Sequence, residues 1–303
     1  MHAKDWLLFS LLALIWGSSF LWIKIAVQEV GPVTLVAYRL LFGAVGLIAI
    51  VAIKRPPMPR ERRTWLTLLV LGFTNTAVPF VLISWGETHI DSGVASILNG
   101  TVPLFTLLIA HFILHDERMT WMRFAGLMAG FGGVVALMSR DVGPAGFDQS
   151  IVGQLAVLGA AICYAGSSVF ARRNLGDVAP MFQALMIVLV ADTALWLSVP
   201  AVESPVIVPR NPLTWLALAW LGLLGSCVAY LIYFGLIQRA GPTRTVMVTY
   251  VMPIVGVLLG VTFLNEPLDW RLGLGTALVA SGVWAVNRRT QRSAPASPPA
   301  PSD

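Results

Sequence analysis

Ten long apolar segments run through this chain in two sets of five, and the second set repeats the landmarks of the first. The first set fills residues 5 to about 138 and the second about 152 to 287. Trp121 and Trp270, Gly126 and Gly275, Gly133 and Gly282, and Gly86 and Gly235 are each 149 positions apart. Pro103 and Pro253 are 150 apart, which marks a one-residue insertion or deletion between the copies. A span needs roughly 20 apolar residues, and in lipid only helices and closed barrels satisfy their backbone. A doubled membrane unit with a site at its pseudo-symmetry axis is the sequence mark of a transporter.

Composition leaves little else to build. Apolar residues make up 57% of 303 positions and charged residues 12%, with mean hydropathy +0.78. A soluble domain carries about 25% charge. Ten spans consume about two thirds of the chain, so only short connectors remain and no soluble catalytic domain fits. Cys163 and Cys227 fall inside apolar segments and read as small packing residues, not a disulfide or metal framework. The sequence pI of about 9.6 does not imply nucleic acid, because the basic residues flank spans instead of sharing one face. The first apolar stretch is too long for a signal-peptide core and lacks a small-residue cleavage pattern, so it is expected to remain as helix 1.

Periodicity and length give spans at 5–27, 33–53, 65–86, 93–114, 121–138, 152–171, 180–200, 213–237, 243–264 and 270–287, numbered here helix 1 to helix 10. Gly31-Pro32, Pro56-Pro57, Gly143-Pro144 and Gly241-Pro242 punctuate the connectors. The expected organisation is a first repeat at 1–140, a connector at 141–151, a second repeat at 152–288 and a disordered Pro/Ala/Ser-rich tail at 289–303.

Lys and Arg set the orientation. With the N-terminus in the cytoplasm, that side holds 15 of the 20 basic residues, in groups such as Lys54, Arg55, Arg60, Arg62 and Arg63. The other side holds Arg140, Arg210 and Arg271, while Lys24 and Arg39 lie within spans. Both termini are therefore expected to be cytoplasmic. Five spans per half is odd, so the second repeat must run inverted relative to the first. The fold class is an all-α membrane protein, ten transmembrane helices in two inverted five-helix repeats around a central cavity.

Helix 1 carries Ile15-Trp16-Gly17-Ser18-Ser19-Phe20, and its repeat partner carries Tyr164-Ala165-Gly166-Ser167-Ser168. Pro32 and Arg39 open helix 2. His115-Asp116-Glu117-Arg118-Met119-Thr120 and then Gly126 and Gly132-Gly133 close the first half, as Asn265-Glu266-Pro267-Leu268 and then Gly273, Gly275 and Gly282 close the second. This ordered set, covering about residues 7 to 288, resembles the drug/metabolite transporter superfamily of the EamA type, and within it is similar to YddG-type amino-acid and metabolite exporters. The resemblance implies a cavity lined by helices 1, 3, 4, 6, 8 and 9, with helices 5 and 10 peripheral. It also implies a structural role for Arg39.

Polar groups in hydrocarbon are costly, so their spacing shows which helix face avoids lipid. Helix 4 offers Ser92, Ser96, Asn99 and Pro103 on one face, and helix 9 offers Pro242, Thr245, Thr249 and Pro253. Helix 8 offers Ser226, Tyr230 and Tyr233, and helix 3 offers Asn75, Thr76 and Pro79. Helices 1 and 6 offer Trp16 with Ser19 and Tyr164 with Ser167 and Ser168. Each stripe has two readings, interhelical glue or cavity lining. The candidate substrate-binding set is Trp16, Ser19, Asn75, Ser96, Asn99, Tyr164, Ser168, Tyr230, Tyr233, Thr245 and Thr249, with Pro103 and Pro253 as hinges. Trp6, Trp65, Trp121, Trp215 and Trp270 read as interfacial anchors.

Charges near spans narrow the function. Lys24 reads as snorkelling, Asp192 as the most buried acid, and Glu87 and Asp91 as surface residues at the turn between helices 3 and 4. Helix 1 has no carboxylate between Trp6 and Ala26, which argues against proton antiport through a helix 1 glutamate. The stripes carry no basic cluster for phosphate. His111 and His115 share a helix face, but Phe112 stands where a zinc-protease glutamate would be. No metal, cofactor or catalytic set is expected. The expectation is a multi-pass inner-membrane exporter of amino acids or similar neutral or zwitterionic metabolites, with the bilayer and a small-molecule substrate as partners. Whether it is a monomer or a homodimer stays open. Transport of drugs or nucleosides, in either direction, is the near alternative. An intramembrane enzyme or a membrane scaffold is the distant one.

Overall fold

The computed structural model describes residues 2–114, 119–139, 142–143, 146–147, 149–175 and 178–287. The expected disordered tail 289–303 and the His115-Asp116-Glu117-Arg118 run lie outside the described residues, as do Arg140 and Arg288 of the charge bias.

Ten helical rods account for nearly all of it. Helix 1 is Ala3–Ala26, helix 2 Pro32–Lys54, helix 3 Arg62–Gly86, helix 4 Ser92–Ile113 and helix 5 Trp121–Met138. Helix 6 is Gln149–Asn174, helix 7 Pro180–Val202 and helix 8 Pro212–Ala240. Helix 9 comprises Pro242–Val246 and Val248–Leu264, and helix 10 is Trp270–Asn287. Among the described residues, nine of these are long and apolar enough to cross a bilayer, and helix 10 packs along helix 5. Several helices outrun their apolar windows because polar residues such as Arg62, Arg63, Arg172 and Arg173 continue the helix at its end. A two-residue antiparallel ladder, Val142 opposite Phe147, is the strand structure of the 5–6 connector. Helix 8 turns into helix 9 at Gly241, whose φ of 85° suits glycine, and Pro242 then takes a first-turn position that needs no amide hydrogen.

The packing obeys a twofold exchange of the halves. Helix 2 packs on helix 7, helix 4 on helix 9 and helix 5 on helix 10, each a helix against its own repeat partner. The other main contacts occur in exchanged pairs. Helix 3 meets helix 6 as helix 8 meets helix 1, helix 4 meets helix 6 as helix 9 meets helix 1, and helix 2 meets helix 8 as helix 7 meets helix 3. The helix 5–10 contact shows the exchange at single residues. A Cβ on Gly126 would lie 2.8 Å from the Gly282 carbonyl oxygen, and one on Gly133 would lie 3.0 Å from the Gly275 carbonyl oxygen. Without side chains in the way, the two backbones come close enough for dispersion contacts to hold helix to helix in lipid.

Irregular segments interrupt several helices, at matching places in helices 3 and 8. Helix 3 passes through a π-helical stretch at Phe73–Ala77, and helix 8 through one at Trp220–Val228. Helix 1 breaks at Ser18, and helix 4 at Gly100 and Thr101. Such defects inside apolar helices are frequent at functional sites.

Candidate functional site

The aromatic candidates gather where helices 1, 3, 6 and 8 face the axis. Trp16 contacts Tyr233 at 5.3 Å and Tyr230 at 6.4 Å between ring centroids. Its indole Nε1 donates to the Gly225 carbonyl at 3.1 Å, inside the π stretch of helix 8. A Cβ at Gly225 would lie 3.7 Å from Ser19 Oγ and 3.9 Å from Arg39 Nη2, so those two groups meet beside this glycine. The Arg39 guanidinium lies 4.0 Å from the centre of the Phe80 ring, and Phe80 meets Tyr164 at 6.3 Å. Trp16, Tyr164, Tyr230 and Tyr233 are packed from several sides and half-buried.

The structure thus brings together Trp16, Ser19, Tyr164, Tyr230 and Tyr233 from the expected set and adds Arg39 and Phe80. The remaining candidates make other contacts. Ser96 is buried between helices 4 and 9, where its Oγ donates to the Gly93 carbonyl at 2.7 Å and its side chain fills the space a Gly256 Cβ would need. Thr245 is fully buried and donates to the Gly241 carbonyl. Thr249 is half-buried and donates to the Val246 carbonyl. Ser168 is exposed and donates to the Tyr164 carbonyl one turn back. Asn75 is half-buried within the helix 3 π stretch. Asn99 is half-buried, and its Oδ1 is enclosed without a partner at the helix 4 break. Pro103 begins the second piece of helix 4, whereas Pro253 lies inside a continuous piece of helix 9, six residues past its break at Met247. The Pro253 ring sits 2.9 Å from where a Gly100 Cβ would stand.

The two ends of the bundle differ. At the end carrying Glu29, Glu203 and Glu266, each of these carboxylates caps a helix of the other half. Glu203, after helix 7, accepts from the amides of Val33 and Thr34, both at 2.8 Å, at the start of helix 2. Glu266, after helix 9, accepts from Ser92 and Gly93 at 2.6 and 3.0 Å, at the start of helix 4. Glu29, after helix 1, accepts from the amides of Arg210 and Asn211 and from the Thr214 hydroxyl, at the start of helix 8. Carboxylates satisfy the free first-turn amides and complement the helix dipole, each contributing about 0.3–1 kcal/mol. The Thr214 hydroxyl and the Arg210 amide hold the Glu29 carboxyl below its ordinary range.

Two charges differ from their sequence reading. Lys24 does not snorkel, since its Nζ donates to the carbonyls of Glu87 and Ile90 at 2.6 and 2.7 Å and so caps the end of helix 3. Glu87 is not at the surface. It is fully buried, more than Asp192 at 8% exposure, and both its oxygens lack partners. Burial pushes this carboxyl well above the usual range. The sequence concealed these contacts because each partner lies far along the chain, and no local spacing signals them.

At the same acidic end helices 3 and 6 touch backbone to backbone: a Cβ on Gly86 would lie 2.8 Å from the Gly153 carbonyl oxygen. At the opposite, arginine-rich end, Gly235 takes the repeat position of Gly86, and nothing lies within 4 Å of its Cβ position. Arg173, at the repeat position of Lys24, is exposed there. The tight backbone approach of the acidic end thus has no counterpart at Gly235. Among the described residues no cluster of His, Cys, Asp and Glu could hold a metal ion, and His111 Nδ1 instead accepts from the Met119 amide at 3.2 Å.

Comparison with known proteins adds to this geometry. The EamA-like transporter family matches residues 5–139 and again 151–288. The chain is 28% identical to the uncharacterized inner membrane transporter YedA of Escherichia coli K12, covering 89% of this chain and 86% of YedA. It is 24% identical to the uncharacterized transporter YoaV of Bacillus subtilis, covering 89% of this chain and 92% of YoaV. One solved crystal structure shares the fold at TM-score 0.67 and 20% identity, covering 94% of this chain and 98% of that one.

Proposed function

The chain belongs to the EamA-like transporter family, and from that premise we propose that it exports amino acids or similar small zwitterionic metabolites across an inner membrane by alternating access. It is a multi-pass membrane transporter and not an enzyme. The observation that carries the proposal is the inequality of the two ends. The close Gly86–Gly153 backbone approach at the acidic end has no counterpart at Gly235, at the arginine-rich end, where helices 1 and 8 pack less tightly. Two halves related by exchange have a second state of similar energy in which those environments trade places. The arginine bias supports a cytoplasmic placement of the looser end, where an exporter loads.

The site suits this task. Trp16, Tyr164, Tyr230, Tyr233 and Phe80 form apolar walls, and Ser19, Asn75, Asn99 and Thr249 offer the polar tips that orient a small molecule. Helix 4 is already divided at Gly100, against the Pro253 ring, and bends there as the ends exchange. Reconstitution in liposomes tests the reading. Labelled amino acids should move in a protein-dependent and saturable way, and a panel of amino acids that shows no such flux while a drug or nucleoside panel does would sink it.

A further inference from the structure

We propose that Arg39 is the anchor for a substrate carboxylate, so that the cavity takes small organic carboxylates with an apolar or aromatic body. This rests on the transporter reading of the same cavity and narrows its substrate class.

Arg39 lies seven residues into helix 2, roughly 10 Å from its start at 1.5 Å per residue. It is 7% exposed. A guanidinium carries five N–H donors, and a buried charge is costly unless it is paired and hydrogen-bonded. Here the close partner is the face of Phe80, which attracts the cation but accepts little from N–H donors. Nε is enclosed and has no hydrogen-bond partner.

Among the described residues no carboxylate pairs with it. Glu87 is the acid whose field reaches Arg39, alongside the neutral tyrosines Tyr164 and Tyr230. Glu87 is itself buried, with both oxygens unpartnered, beside Lys24 and Glu266. Burial raises its proton affinity, and no hydrogen bond joins it to the guanidinium. The cation sits beside Ser19 and Gly225, within the field of the half-buried Tyr164 and Tyr230. A planar guanidinium pairs with a carboxylate through two parallel hydrogen bonds. The rings then meet whatever apolar body the carboxylate carries.

The test uses matched ligand sets on the purified full chain, read by thermal shift and by Trp fluorescence titration. One set is phenylalanine, 3-phenylpropanoate, phenylalaninamide and phenethylamine. The other is leucine, 4-methylpentanoate, leucinamide and isopentylamine. The carboxylate members should bind at least about tenfold tighter than the amides and amines, the loss expected when a buried charge-assisted pair is removed. Arg39→Gln should abolish that preference, and Arg39→Lys should keep part of it. Amides or amines that bind as well as carboxylates overturn the proposal, as does an unchanged preference in Arg39→Gln or a panel in which no carboxylate binds. The ligand comparison needs no variant, so it decides even where Arg39→Gln fails to fold. Liposome flux separates the two readings. Carboxylates that bind but are not carried leave Arg39's role intact and remove the export reading. Amines that are carried keep transport and remove the anchor.

Discussion

Gly86 and Gly153 meet so closely that a Cβ on either would press on the other's carbonyl oxygen, at 2.8 and 2.9 Å. Their repeat counterparts are Gly235 and Lys4, at the arginine-rich end, where Lys4 is exposed. In the exchanged state that pair should meet. With Cys163 and Cys227 replaced by alanine, the pair Lys4→Cys and Gly235→Cys should form a disulfide slowly at rest and faster during turnover, since bridging needs Cα atoms within about 7 Å. Gly153→Val should accelerate it further by wedging the acidic end apart. Equal cross-linking in all three conditions would leave the exchange without support.

The carboxylate caps should set the balance between states. Glu203→Gln and Glu266→Gln each remove a charge worth about 0.3–1 kcal/mol at a helix start, which shifts a two-state equilibrium by about two- to fivefold. Labelling of Val33→Cys by an impermeant thiol reagent from the acidic side should rise by that factor. The circular dichroism spectrum should not change, because only the junction between halves is loosened.

Glu29 and Glu87 should respond to pH in opposite senses. Thr214 and the Arg210 amide lower the Glu29 value, so its stabilisation is present above the unfolded-state value and is lost as pH falls through the folded one. Burial raises the Glu87 value, with Lys24 and Arg39 opposing and Glu266 adding to the rise. Its contribution is full below the unfolded-state value and is lost as pH rises through the folded one. In thermal unfolding across pH, Glu29→Gln should flatten the acid limb and Glu87→Gln the alkaline limb. A Glu87→Gln profile that keeps the alkaline fall contradicts a neutral buried Glu87.

Asn99 should matter more for transport than for folding. Its Oδ1 is enclosed without a partner, so Asn99→Ala breaks no hydrogen bond of the resting state. Flux should fall about tenfold if the amide contacts substrate in the productive state, at unchanged expression. Thiol labelling should separate the stripes. Asn99→Cys and Thr249→Cys should react and be protected by substrate, whereas Ser96→Cys should stay unreactive because Gly256 covers it.

Asp192→Asn should keep most transport activity. The residue lies on helix 7, one turn from Trp196, outside the ring contacts that join Trp16, Tyr230 and Tyr233. Accumulation driven by a pH gradient that disappears in this variant would assign it a proton and contradict this placement.

Ten helices were legible in the chain because apolar length is a strong signal and the repeat confirms it within one sequence. The large aromatic groups of the site, Trp16, Tyr164, Tyr230 and Tyr233, were legible as apolar bodies with polar tips on lipid-avoiding faces. Ser96 shows where such spacing stops informing. Its stripe does avoid lipid, but helix 9 covers Ser96 while Asn99, one turn on, remains half-exposed. Periodicity identifies a face and not what stands opposite it. Arg39 was read as structural because its isolation depends on helices 3, 6 and 8, which supply rings and no acid. The same distance along the chain concealed Glu203 and Glu266, whose partners are 170 and 174 residues away.

The π stretches of helices 3 and 8 fall at one repeat position, since Phe73–Ala77 carried forward by 149 positions falls at 222–226, within Trp220–Val228. A π turn closes its hydrogen bonds one residue further on than an α turn. Each stretch packs against a helix of the other half, helix 3 against helix 7 and helix 8 against helix 2. Each half therefore meets the other through an unwound segment of its own.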